Sequence, residues 1–123
     1  MAGTDYSRTP SATLVFACSG AADVGAIADQ TARTLARGGI GKMFCTVGLG
    51  GKVKPILETT KSATRILAID GCPLDCAKHC LIEAGFDHFS HLRVTDLGMT
   101  KGDTEVSHEN VSKVVGQARK LLW

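Results

Sequence analysis

The sequence predicts an α/β domain: a small, doubly wound parallel sheet of about four strands, flavodoxin-like, between two layers of helices. Three observations predict it. Short apolar runs at Thr13–Ala17, Lys42–Thr46 and Ile66–Ile69 alternate with segments of helical periodicity. Turn-forming residues follow each run: Cys18-Ser19-Gly20, the glycines Gly48, Gly50 and Gly51, and Asp70-Gly71. Strands that alternate with helices make a parallel sheet covered on both faces, which gives three layers. The expected strand order is 2-1-3-4.

Each element has a local cause. Met1–Pro10 is polar, with Asp5, Ser7 and Arg8, and lacks the apolar stretch of a secretory leader. Residues 1–11 therefore read as a flexible tail and 12–123 as one domain. After the first strand, Val24, Ile27, Ala28, Thr31 and Leu35 share one helical stripe, which Gly38-Gly39 stops. The second strand contains Cys45. Val47–Lys54 then reads as a glycine-rich loop, and Pro55 starts a short helix to about Lys61.

The third strand runs into Asp70-Gly71. Pro73 is expected as the first residue of the next helix, because its fixed φ suits that position. Asp75 would complement the helix dipole from the first turn, and Gly85 would close the helix. Phe86–Thr95 alternates only in part and fits an exposed edge strand. Asp96–Val106 is a loop. Ser107 caps the last helix, which places Val111, Val114, Val115, Ala118, Leu121 and Leu122 on one face.

At 123 residues the chain can bury a core without staples. Its net charge is +2, with acids and bases interspersed. No basic stripe is interleaved with aromatics, so nucleic acid is not an expected partner. The longest apolar runs are far too short to span a membrane, so no membrane is expected either. Five cysteines, an odd number, argue against a secreted disulfide framework. A reducing cytoplasm with metal or redox use of the thiols is the expectation.

The cysteines carry the chemistry. Cys18 ends the first strand, Cys45 the second, and Cys72 follows the third. Open α/β sheets bind ligands at that carboxyl edge. The order 2-1-3 makes these strands neighbours, ~4.8 Å apart. Cys76, one helical turn beyond Cys72, leans into the same crevice. Cys18, Cys45, Cys72 and Cys76 together match the four tetrahedral ligands that Zn²⁺ requires. Cys45, inside a strand, reads equally well as a small packed hydrophobe. Cys80, beside Leu81 and Ala84, reads as packing.

Four thiolates leave no open position for an activated water, which favours metal sensing or carriage over hydrolysis. The same thiols admit other readings, so whether the chain is an enzyme stays open. Cys18 and Cys72 at helix starts would suit a redox or sulfur-transfer enzyme, and four thiolates also suit an iron–sulfur centre. Asp70 and Ser19 are candidates to orient the thiol loops, although Asp70-Gly71 equally makes a plain turn. Lys42 and Lys101 read as solvated cations able to offset the charge of a tetrathiolate site. His79, His88, His91 and His108 could supply nitrogen ligands, but His79, His88 and His91 read as surface groups. Gly48-Leu49-Gly50-Gly51 lacks the third glycine of a dinucleotide fingerprint. A cysteine phosphatase needs Arg six residues after its nucleophile, where this chain has Val24, Gly51 and Lys78.

The run from Asp70 to Lys78, Asp-Gly-Cys-Pro-Leu-Asp-Cys-Ala-Lys, closely resembles the central motif of the small proteins called the DGC domain. The likeness extends to Cys18-Ser19-Gly20, to the Gly-Lys-Met-x-Cys run ending in Cys45, and to Asp96–Lys101, so it covers nearly the whole chain from about Leu14. It implies a four-cysteine chelating set, which falls here on Cys18, Cys45, Cys72 and Cys76 and leaves Cys80 outside. Zinc is ascribed to that family from its cysteines. The resemblance implies a site and supplies no activity.

Overall fold

Strand β1 (Thr13–Ala17) lies parallel to β3 (Arg65–Asp70) in register from Thr13↔Arg65 to Ala17↔Ile69. The computed structural model that shows this describes residues 12–122. The expected tail, 1–11, lies outside the described residues. β2 (Lys42–Met43) flanks β1, and β4 (Ser90–Arg93) flanks β3. The sheet is all-parallel with order β2-β1-β3-β4, as the sequence predicts.

The period-2 alternation of the two central strands separates two cores. Val15, Ala17, Leu67 and Ile69 face α1 (Asp23–Arg37) and α5 (His108–Leu122). Leu14, Phe16, Ile66 and Ala68 face the other layer. That layer holds α2 (Thr46–Gly50), α3 (Lys54–Lys61) and α4 (Cys76–Glu83). Both strands are buried on both sides, which explains why they read as continuous apolar runs. The architecture is three-layered and flavodoxin-like.

The predicted stripe of α1 is buried at each of its five positions. In α5, Val111, Val114, Ala118 and Leu122 are buried while Leu121 is exposed. Ser107 caps that helix, its Oγ accepting from the Asn110 amide at 3.1 Å. Among the described residues, no helix is long and apolar enough to cross a membrane.

Three local expectations are corrected. The glycine-rich stretch after β2 is a short helix, α2, because the Cys45 thiol accepts from the Gly48 amide and caps it. Cys45 therefore lies beyond β2, not inside it. Pro73 does not begin a helix: α4 starts at Cys76, after a turn in which the Asp75 amide donates to the Cys72 carbonyl at 3.1 Å. Asp75 has φ +52°, a left-handed conformation that interrupts the helix on its N-terminal side. The edge strand is short because Val94–Leu97 turns into a 3₁₀ helix after Arg93.

Candidate functional site

All four predicted cysteines lie at the carboxyl edge of the sheet, each placed by a different local device. Cys18 follows β1, its amide bonded to the Ile69 carbonyl at 3.0 Å and its sulfur accepting from the Gly71 amide at 3.4 Å. Cys45 caps α2. Thr46 beside it donates to the Ala17 carbonyl at 2.7 Å, which ties the start of α2 to the end of β1. Cys72 lies in the turn after β3, and Lys101 Nζ donates to its sulfur at 3.5 Å. Cys76 is the first residue of α4. Cys45 and Cys76 are exposed, Cys18 and Cys72 half-buried, and none is in a disulfide.

Cys18 and Cys45 share a cleft at the β1–β2 end of the edge with Ser19, Asp29 and Arg33. Ser19 donates to Asp29 at 2.7 Å, and Arg33 holds the other oxygen of that carboxylate at 2.7 Å. The Ser19 hydroxyl thus serves this pair rather than a thiol. Burial pushes the Cys18 thiol above its ordinary range, partly offset by the Gly20 and Gly71 amides, and Asp70 and Cys76 push it further. Burial likewise raises Cys80, again with Cys76 and Asp70 as negative neighbours. Cys80 is half-buried where α2 meets α4: a Cβ on Gly50 would lie 3.3 Å from its sulfur.

Beside the thiols runs a polar network that the sequence reading foreshadowed only through Asp70. The Asp70 carboxylate, 1% exposed, accepts from the Ala77 and Lys78 amides at 2.7 and 3.0 Å. Two otherwise unpaired N–H groups at the start of α4 are thereby satisfied from β3. His91 Nε2 lies 2.9 Å from the same carboxylate. With Asp70 as a carboxylate, which only accepts, this nitrogen is the donor. Arg93 grips Asp75 in a two-pronged pair at 2.8 and 2.5 Å and reaches Asp96 at 3.2 Å.

Arg93 is absent from the sequence expectations, and His91 is set aside there as a surface group. His91 is not the surface group expected of it. The available signal was their two-residue spacing on β4, which puts both on one face of the strand; the register Ala68↔His91 and Asp70↔Arg93 then brings them to the end of β3. Asp70, Asp75 and His91 have ligand atoms within 4.8 Å of one another. Their oxygens are already taken by amides, His91 and Arg93, so this is a hydrogen-bonded brace for α4 rather than an ion site.

The brace has a pH signature. Hydrogen bonds from Arg93 hold the Asp75 carboxyl below the usual carboxylate range, against the upward push of burial and helped by His91 and Lys78. A carboxyl with a lowered native pKa stabilises the fold above its unfolded value, about 3.9, and loses that stabilisation as pH falls through the native one. Urea midpoints measured between pH 6 and pH 2.5 should therefore drop more steeply for the wild type than for Asp75→Asn. Parallel profiles would show that the pair adds nothing to folding.

The chemistry of the donor set fits a thiophilic dication. Four free thiols from three strand ends and the start of α4 occupy one edge, with a cation, Lys101, already against one sulfur. The arrangement is open. Among the described residues, no three cysteine sulfurs lie within 4.8 Å of one another. Four sulfurs at ~2.3 Å from one zinc would sit roughly 3.8 Å apart. Cys45 and Cys76 are the two exposed members, and the Cys45 sulfur would have to release the Gly48 amide to turn inward.

Comparison with known proteins agrees with the motif reading. The DGC domain family matches residues 14–118. The anaerobic and virulence modulator AnvM of Pseudomonas aeruginosa is 37% identical over 98 residues, which is 78% of this chain and 75% of that protein. No solved structure matches. With the family match spanning the domain from β1 into α5, and a relative this similar over most of both chains, the chain belongs to the DGC-domain family.

Proposed function

We propose that this protein binds Zn²⁺ through Cys18, Cys45, Cys72 and Cys76 and acts in metal sensing or carriage in the reducing cytoplasm. One observation carries the reading: four unpaired cysteines, distant in sequence, lie on the ligand-binding edge of a parallel sheet. Bound there, zinc would supply a closed tetrathiolate centre with no position left for an activated water. The chain's own residues do the rest. Asp70 fixes the start of α4 and hence Cys76, while the Gly71 amide fixes Cys18. A sheet with two well-filled cores does not need a metal to fold, which favours an ion that is sensed or carried. A relative named as a modulator suits a regulatory role.

The redox and sulfur-transfer alternative is weaker at Cys18, because burial raises that thiol and leaves less nucleophilic thiolate at neutral pH. Elemental analysis of anaerobically purified protein decides between the readings. We expect about one zinc per chain, with the four thiols titratable only after chelation, and a tetrahedral thiolate spectrum on Co²⁺ substitution. Cys76→Ser should abolish stoichiometric binding, and Cys80→Ser should leave it intact. Metal-free protein with freely reactive thiols would overturn the proposal, and a brown colour would replace zinc with an iron–sulfur cluster.

A further inference from the structure

The segment from Gly98 to Thr104 is held too firmly for a plain surface loop. Met99 is buried in the core shared by α1 and α5, which fixes one side. On the other side, Asp23 at the start of α1 accepts from the Gly102 amide through Oδ1 and from the Thr104 amide through Oδ2, each at 2.9 Å. These two amides hold the Asp23 carboxyl below its usual range. Thr104 closes the turn on itself, its hydroxyl donating to the Thr100 carbonyl at 2.7 Å and accepting from the Thr100 amide at 2.8 Å. Between the two anchors stands Lys101, its ammonium 3.5 Å from the Cys72 sulfur. A lysine that is merely solvated needs neither anchor.

We infer that residues 98–104 form a strap which Asp23 ties down so that Lys101 gives the Cys72 thiol a preference for small ligands that carry a carboxylate. Asp23 is a positioning residue here and Lys101 the group that meets the ligand. The same ammonium lies beside one ligand of the proposed metal site. The inference shares Cys72 with that site, so it is tested on metal-free protein, where the two stand or fall separately.

The test compares alkylation of Cys72 by iodoacetate, an anion, with alkylation by neutral iodoacetamide, using peptide mass spectrometry. The ratio of the two rates cancels the thiolate fraction and reads local charge. One nearby ammonium at an exposed site should change it about fourfold. We expect that drop in Lys101→Met, retention in Lys101→Arg, and no change at Cys45. Added salt should lower the wild-type ratio towards that of Lys101→Met, whose own ratio it should hardly move. Asp23→Ala should lower the ratio as Lys101→Met does, and the double variant should fall no further. Equal ratios in wild type and Lys101→Met, or an equal change at Cys45, would overturn the inference. Lys101 is exposed, so that variant keeps the test decisive even if Asp23→Ala fails to fold.

Discussion

Gly71→Ala should destabilise the protein by about 3 kcal/mol, the upper end of the cost of overpacking a close-packed site. The reason is a backbone crossing. A Cβ at Gly71 would lie 2.7 Å from the Gly25 nitrogen and 2.7 Å from the Val24 carbonyl carbon, both in the first turn of α1. Neither is the end of a flexible side chain, so α1 or the turn after β3 has to move. The Gly71 amide donates to Cys18 and its carbonyl accepts from the Thr95 amide at 3.1 Å, so movement loosens the thiol edge from both sides. For a domain of this size the melting temperature should fall by roughly 10 °C or more. Gly116→Ala is the matched control. It lies exposed within α5 with open space around it, and alanine there should stabilise by about 0.5–1 kcal/mol. If both substitutions left the melting temperature unmoved, the tight crossing of α1 over the β3 turn would be wrong.

The same crossing shows what was and was not legible in the sequence. β1, the stripe of α1 and the face of α5 were readable because each expresses a periodicity within a single element. The strand order followed from strand–helix alternation, and with it the placing of Cys18, Cys45 and Cys72 on one edge. Pairings between elements were not readable in this way. Nothing in Asp-Gly-Cys-Pro says that the glycine is there to let α1 approach. Asp75 looked like a first-turn helix residue, but its left-handed backbone and its pairing with Arg93 on β4 place it before the helix. Lys101 is exposed, as a solvated lysine should be, but its place beside Cys72 rests on Met99 and Asp23, which act through the tertiary fold. Cys45 capping a helix with sulfur was hidden by glycines that usually signal a loop.

Asp70→Ala should be the second severe substitution, and it should act on the candidate site without touching a ligand. Its carboxylate serves three donors: the Ala77 and Lys78 amides and His91. Each buried donor left without a partner costs about 1–3 kcal/mol. The first turn of α4 reaches the exposed edge, where water can replace part of the loss, so we expect about 3 kcal/mol in total from urea unfolding. Asp75 provides no substitute cap, since its side chain makes no capping hydrogen bond and is committed to Arg93. Loss of Asp70 should therefore fray α4 from its start, and amide exchange at residues 76–80 should rise while that of β1 follows only global stability. Cys76→Ser should behave in the opposite way, with near-native stability and slow exchange but no stoichiometric zinc. If Asp70→Ala lowers zinc affinity together with α4 protection, the carboxylate is the device by which the sheet holds its fourth thiol in place. If exchange in α4 is unchanged, the start of that helix is fixed by something other than Asp70.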